Sequence, residues 1–260
     1  MAPGLSRQLG ALVAISLLLG GCAGDGDKTA DNREKSELTR TLVDAAAAAQ
    51  SQNDATTAAT YYRSALTRDP GNAAAAIGLM QSLRVIGGLD EARAVAEKSL
   101  SLHPNDPAVL AEGAKVKLAT GQIDDAIKLL KRAVTDDGKD WKSRSALGLA
   151  YDRVGDYARA DESYQEALTI SPENATVLNN YALSRAMAND LDGARALLVR
   201  AIASPNADMR VRQNLALVYA LSGDMGKAEE LTRHDLPPAL ASEALDFYRR
   251  LAEAAATQRQ

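Results

Sequence analysis

From Thr39 onward, apolar and polar positions recur with a period of 34 residues, and the chain divides into six gapless rows. The rows begin at Thr39, Ala73, Pro107, Trp141, Ala175 and Met209. Their twentieth positions are all alanine: Ala58, Ala92, Ala126, Ala160, Ala194 and Ala228. Position 28 is aliphatic throughout, with Leu66, Leu100, Val134, Leu168, Ile202 and Leu236. Position 15 reads Asn53, Gly87, Gly121, Gly155, Asn189 and Gly223, the residue types that best tolerate the left-handed backbone that ends a helix. Each row is therefore predicted to form two antiparallel helices, A and B, turning near position 15. Alanine at position 20 lets helix B approach helix A closely, and larger side chains at positions 7, 17, 24 and 28 fill the seam. One such pair cannot bury its own apolar face, so the rows must stack. Beyond them, Ala239 to about Thr257 places Leu240, Ala244, Phe247, Tyr248 and Leu251 on one helical stripe. It reads as a helix capping the open edge of the sixth row, which needs covering, with a free amphipathic partner helix as the alternative.

The row pattern resembles the tetratricopeptide repeat, which has small residues at positions 8, 20 and 27, a large one at 11 or 24, and proline near 32. Row four, WKSRSALGLAYDRVGDYARADESYQEALTISPEN, matches through Leu147-Gly148, Tyr151, Gly155-Asp156-Tyr157, Ala160, Tyr164, Ala167 and Pro172. Rows two, three and five match more loosely. Row one has Ala49 at position 11, and row six has Asp235 at position 27 before Pro237-Pro238, as terminal repeats facing water should differ. The resemblance implies an all-α, right-handed superhelix of six repeats with a C-terminal capping helix, and a concave surface that binds protein partners.

The N-terminus follows different rules. Arg7, an apolar run from Leu9 to Leu19, and then Gly20-Gly21-Cys22 have the three-part layout of a secretory signal peptide. The run is too short to span a bilayer core, which needs about 20 helical residues. Leu19-Gly20-Gly21-Cys22 resembles the bacterial lipoprotein cleavage box, which implies cleavage after Gly21 and acylation of Cys22. Two or three acyl chains would hold the protein stably at a membrane, whereas one binds only marginally. A phosphate-cradling glycine loop would need a strand before it and a helix after it, neither of which is signalled. A buried structural cysteine is the remaining alternative. The chain thus divides into a signal peptide (1–21), an acylated cysteine with a flexible polar tether (22–38), six repeats (39–238) and a capping helix with its tail (239–260).

Composition narrows the functional classes. Alanine supplies 51 residues and aromatic side chains only 4%, which favours closely packed helices over sheet. A net charge of −4 without clustered basic residues argues against a general nucleic-acid surface. Cys22 is the sole cysteine, and His103 and His234 lack zinc-ligand spacing, so no metal is expected and no cofactor beyond the covalent lipid. No nucleophile elbow or metalloprotease helix occurs. Asp124-Asp125 read as first-turn residues that complement a helix dipole, and Asp136-Asp137 as turn formers, which leaves no catalytic candidates. His103 and His234 read as turn or surface residues.

In tetratricopeptide repeats, positions 2, 5, 6, 9, 12 and 13 of helix A line the concave side. Position 9 reads Ala47, Gln81, Lys115, Leu149, Leu183 and Leu217, and position 13 reads Ser51, Val85, Ala119, Arg153, Met187 and Leu221, so the C-terminal half is the more apolar. Asn179 and Gln213 at position 5 and Asn180 and Asn214 at position 6 complete the candidate groove. Amides spaced one repeat apart could pair with an extended peptide backbone, since each both donates and accepts. The same residues read equally well as hydrated surface amides and packing leucines. The segment Gln213 to Glu253, with its QNLAL start, Gly-Asp turn and RHDLPP exit, resembles assembly lipoproteins of the Flp (Tad) pilus. That resemblance implies a role in assembling the pilus machine, with a secretin as partner, at the periplasmic face of the outer membrane. A general envelope scaffold recruiting cell-wall or outer-membrane biogenesis enzymes has the same architecture, and an accessory subunit completing another enzyme's site is a third class.

Overall fold

The computed structural model describes the backbone of residues 23–134 and 139–258. The signal segment and Cys22 lie outside the described residues, as do Asp136 and Asp137. Among the described residues the chain is all helix, with no strand. The A helices are α1 (Ala23–Ser51), α3 (Ala73–Ile86), α5 (Pro107–Ala119), α7 (Trp141–Arg153), α9 (Ala175–Met187) and α11 (Met209–Leu221). The B helices are α2 (Ala55–Arg68), α4 (Leu89–Leu102), α6 (Ile123–Ala133), α8 (Tyr157–Ile170), α10 (Leu191–Ile202) and α12 (Met225–Asp235), and α13 (Pro238–Gln258) follows. Every B helix starts at position 17 of its row, and every A helix after the first starts at position 1.

Two columns set those boundaries. Position 15 adopts positive φ in all six rows, from 60° at Asn53 to 88° at Gly223, as the Asn/Gly column predicts. Polar residues at positions 16 and 34 then act as N-caps, a column the sequence reading did not single out. Asp54, Asp156, Asp190 and Asp224 accept the backbone N–H three residues on at the start of B helices. Asn72, Asp106, Asp140, Asn174 and Asp208 cap the A helices in the same way. Each cap satisfies amides that the first helical turn leaves without partners.

The position-20 alanines are all fully buried, which places a methyl group where helix B crosses helix A. Position 24 fills the seam beside it with Tyr62, Leu130, Tyr164 and Leu198. Small residues opposite make room: a Cβ on Gly148 would lie 2.8 Å from the Tyr164 ring, and one on Gly78 only 2.2 Å from Tyr62. Arg200 extends from α10 to the Pro172 carbonyl of the preceding row at 3.2 Å, and Arg132 makes the equivalent contact with the Pro104 carbonyl, fixing inter-row register.

Successive A helices approach each other directly, α1 on α3 and so on to α11, whereas the backbones of successive B helices do not. The stack therefore curves with A helices on the inner wall and B helices outside. α13 packs on both α11 and α12 and so takes the place of a seventh A helix, the capping arrangement. Its buried residues are Ala241, Leu245 and Tyr248; of the expected stripe Tyr248 is buried and Ala244 and Leu251 are half-buried, whereas Leu240 and Phe247 are 53% and 49% exposed. The small Ala241 permits a close approach that Leu240 would block, and the Tyr248 hydroxyl donates to the Gln213 carbonyl at 3.3 Å. The segment after Cys22 also differs from the expected flexible tether, because Ala23 onward is the N-terminal part of α1. No proline interrupts residues 23–51, so a helix nucleated by the packed, alanine-rich second half of α1 can extend outward. Among the described residues no helix is long and apolar enough to cross a membrane.

Row six's exceptional Asp235 is explained by its partners. Its side chain is only 3% exposed and accepts two hydrogen bonds from Arg212 Nε, at 2.9 and 2.8 Å, and one contact from His234 Nδ1 at 2.9 Å. Burial pushes the Asp235 carboxyl up, but the Arg212 and His234 contacts outweigh it and leave it below the ordinary range.

Replacing Gly155, at φ 72°, with alanine should cost about 1–2 kcal/mol in urea unfolding, because a Cβ is strained in that conformation. The caps predict acid sensitivity. The Arg159 side chain and amide hold Asp156 below its usual pKa, and the Lys227 amide does the same for Asp224. A folded-state pKa below the unfolded value gives stability that is complete above the ordinary carboxylate range and fades as pH falls through the lowered value. Asp156→Asn/Asp224→Asn should keep the caps yet show a shallower loss of unfolding free energy between about pH 5 and pH 2.

Candidate peptide-binding groove

The inner wall carries the candidate residues because A helices present positions 2, 5, 6, 9, 12 and 13 there. Leu149 is 38% exposed and Met187 53%, while Asn179, Asn180, Leu183, Gln213, Asn214, Leu217 and Leu221 are half-buried. Two adjoining pockets gather several of them. A cleft of about 510 Å³ spans α3 to α9 and includes Leu149 and Asn180. A smaller one of about 270 Å³ lies between α9 and α11, against Asn179, Asn180, Leu183 and Asn214. Asn180 lines both.

The amides form a connected row. Asn214 Nδ2 donates to Asn179 Oδ1 at 2.7 Å, and Asn179 Nδ2 reaches Asn180 Oδ1 at 3.5 Å. Among the described residues this leaves Asn180 Nδ2 and Asn214 Oδ1 without protein partners, one donor and one acceptor at opposite ends of the row. An extended backbone offers the complementary pair. Leu217 is used differently, since it packs on the cluster of Ala216, Ala220, Leu245 and Tyr248 that joins α11 to α13. Met187, Gln213, Leu217 and Leu221 line neither pocket.

Charge is what the sequence reading missed. Arg84, Lys115, Lys142 and Arg153 all line the larger cleft, beside the aromatic ring of Trp141. Beneath them Glu112 is 1% exposed, taking Arg84 Nε at 2.9 Å, Lys115 Nζ at 3.1 Å and Gln81 Nε2 at 3.4 Å. Asp152, the other inner-wall acid of rows two to five, is 8% exposed and accepts from the Tyr164 hydroxyl at 2.8 Å and the Ser184 hydroxyl at 2.6 Å. Burial pushes its carboxyl up, partly offset by those two bonds, and burial with the adjacent Asp152 raises the Tyr164 phenol in turn. The signal lay in positions 2, 6, 9, 12 and 13 of rows two to four, whose charges are so far apart in sequence that no basic run appears.

His103 bonds the Gly71 carbonyl at 2.8 Å, linking neighbouring rows, and Asp125 in the first turn of α6 contacts Lys117 and Lys128. Among the described residues no three His, Cys, Asp or Glu side chains gather as metal ligands would.

Removing Arg84 would leave Glu112 buried with too few partners. Arg84→Met should cost about 3 kcal/mol in denaturant unfolding, and Arg84→Met/Glu112→Met should recover most of it.

Two patterns described as tetratricopeptide repeat match the chain, one at residues 43–107 and 145–208 and the other at 87–147. In sequence the chain is similar to Cellulose synthase operon protein C of Pseudomonas fluorescens (strain SBW25), 31% identical over 140 residues. That alignment takes in 50% of this chain and 11% of the relative, so the chain spans about a tenth of that protein. Among solved structures it is similar to PilW, described as a widely conserved type IV pilus biogenesis factor. The TM-score is 0.70 at 15% identity, covering 81% of this chain and 97% of PilW. PilF of Pseudomonas aeruginosa gives 0.62 at 16%, covering 77% and 91%. A tetratricopeptide-repeat protein of Thermus thermophilus gives 0.63 at 17%, covering 69% and 98%. At these identities the likeness is one of fold.

Proposed function

Because the chain belongs to the tetratricopeptide-repeat proteins, we propose that it is a lipid-anchored periplasmic scaffold, held through Cys22 at the outer membrane, that assists assembly of a Tad-type pilus machine. It binds protein partners along the inner wall, with a secretin or another pilus component as the expected occupant, and carries out no reaction itself. The observation that carries this reading is the joining of a lipoprotein cleavage box at Leu19–Cys22 to a six-row array whose concave wall presents unpaired amide groups. The described role of PilW in pilus biogenesis and the resemblance of Gln213–Glu253 to Tad assembly lipoproteins support it. A second reading, a general envelope scaffold for other biogenesis enzymes, is favoured by the identity shared with Cellulose synthase operon protein C.

Detergent extraction from native envelopes followed by mass spectrometry separates the two. Co-purifying secretin or pilus ATPase complex supports pilus assembly, and cell-wall enzymes alone count against it. Intact mass should show loss of residues 1–21 with acyl mass on Cys22, and Cys22→Ala should leave the membrane fraction. An unmodified chain that stays with membranes would overturn the anchor. Capture of the identified partner should weaken about tenfold in Asn180→Ala/Asn214→Ala, roughly one lost hydrogen bond per amide. Undiminished capture by the folded double variant counts against the amide row.

A further inference from the structure

The inner wall and the whole chain carry opposite charge. The protein has a net charge of −4, yet rows two to five present Arg84, Lys115, Lys142 and Arg153 at inner-wall positions, while the two acids there, Glu112 and Asp152, are 1% and 8% exposed. Both acids face inward onto protein partners, so solvent in the cleft meets cations. Arg84 and Lys115 are held by Glu112, and that buried carboxylate fixes their position. Lys142 and Arg153 are exposed and have no carboxylate partner among the described residues; Lys142 sits 5.7 Å from the Trp141 ring centroid. Four cations line one cleft of about 510 Å³ that has no acidic side chain in its lining, so their potentials add there.

We propose that this cleft takes an acidic segment of the partner protein, with two or more Asp or Glu side chains set beside an aliphatic one. The cations receive the carboxylates, and Leu118, Ala146 and Leu149 receive the aliphatic group. Asn180 stands at the boundary with the neighbouring pocket, where the peptide backbone would continue past Leu183 toward Asn214. A polyanion such as single-stranded nucleic acid suits the surface less well, because beyond the cleft it would run along a chain of net negative charge. The inference rests on the inner wall being the partner-binding face.

The test is selection from a random-peptide display library on the processed full-length protein, followed by fluorescence anisotropy with the recovered peptides. Recovered peptides should be enriched in Asp and Glu next to Leu, Ile, Val or Met, and their affinity should fall with added salt. Lys142→Glu/Arg153→Glu, which strands no buried charge, should keep its helical circular dichroism and lose about tenfold or more in affinity. Peptides without an excess of carboxylates, or an affinity unmoved by the double reversal, overturn the acidic preference. If such peptides nevertheless fail to bind Leu149→Arg, the inner wall stands as the binding face and only its charge preference falls. If Leu149→Arg binds them as wild type does, or no peptide is recovered, both fall. Displacement of the acidic peptides by a single-stranded oligonucleotide at equal concentration overturns the proposal in favour of a phosphate ligand.

Discussion

The whole architecture depends on the contact at position 20, where a fully buried alanine brings helix B against helix A in all six rows. A larger side chain there would push the pair apart and undo the seam that Tyr62, Leu130, Tyr164 and Leu198 fill. Close approach fixes the geometry of each pair, and each pair offers the next the same shape. That is why the same turn geometry, at positive φ, recurs in every row, and the same aspartate cap at position 16 recurs in rows one, four, five and six. The curvature that makes an inner wall follows from the same constraint, since A helices meet directly while the B backbones fan outward.

Much of this was legible in the sequence because the signals are local and repeated. An all-alanine column and an Asn/Gly column each encode a single steric demand that the structure meets in all six rows, while the aliphatic column at position 28 is half-buried throughout. The capping columns were equally present, as Asp or Asn before α3, α5, α7, α9 and α11 and as Asp before α2, α8, α10 and α12, but they are read only once helix boundaries are known. Where repetition ends, the signal weakens. For α13 the apolar positions admit more than one stripe, and the size of Ala241, not the hydrophobicity of Leu240, decided which face packed. For α1, polar composition suggested a free tether, but composition does not stop a helix that a packed, proline-free neighbour has already nucleated.

The groove was half legible, and the missing half is electrostatic. Apolar and amide columns at positions 5, 6, 9 and 13 can be read down the rows, and the structure brings Asn179, Asn180 and Asn214 into one hydrogen-bonded row. Burial cannot be read that way. Glu112 and Lys115 are three residues apart and nearly cancel on paper, yet one is buried and the other reaches the cleft. The formal charge of the inner wall and the charge that a ligand meets are different quantities, and only the fold separates them.

That separation also explains why an acid is buried at the centre of a basic surface. A carboxylate taken out of water is costly unless its partners are close and numerous, and Glu112 has three. Replacing the set by apolar side chains could serve stability as well, so stability alone does not account for it. What the buried carboxylate adds is position: Arg84 and Lys115 would otherwise be long, mobile chains, and ordering them at the moment of binding would consume part of the binding energy. Held in advance by Glu112, they would meet the proposed ligand already oriented, while Lys142 and Arg153, without a carboxylate partner among the described residues, would supply the attraction. The cleft therefore combines a rigid pair of cations with an adaptable pair, on a wall whose curvature is set six times over by a methyl group.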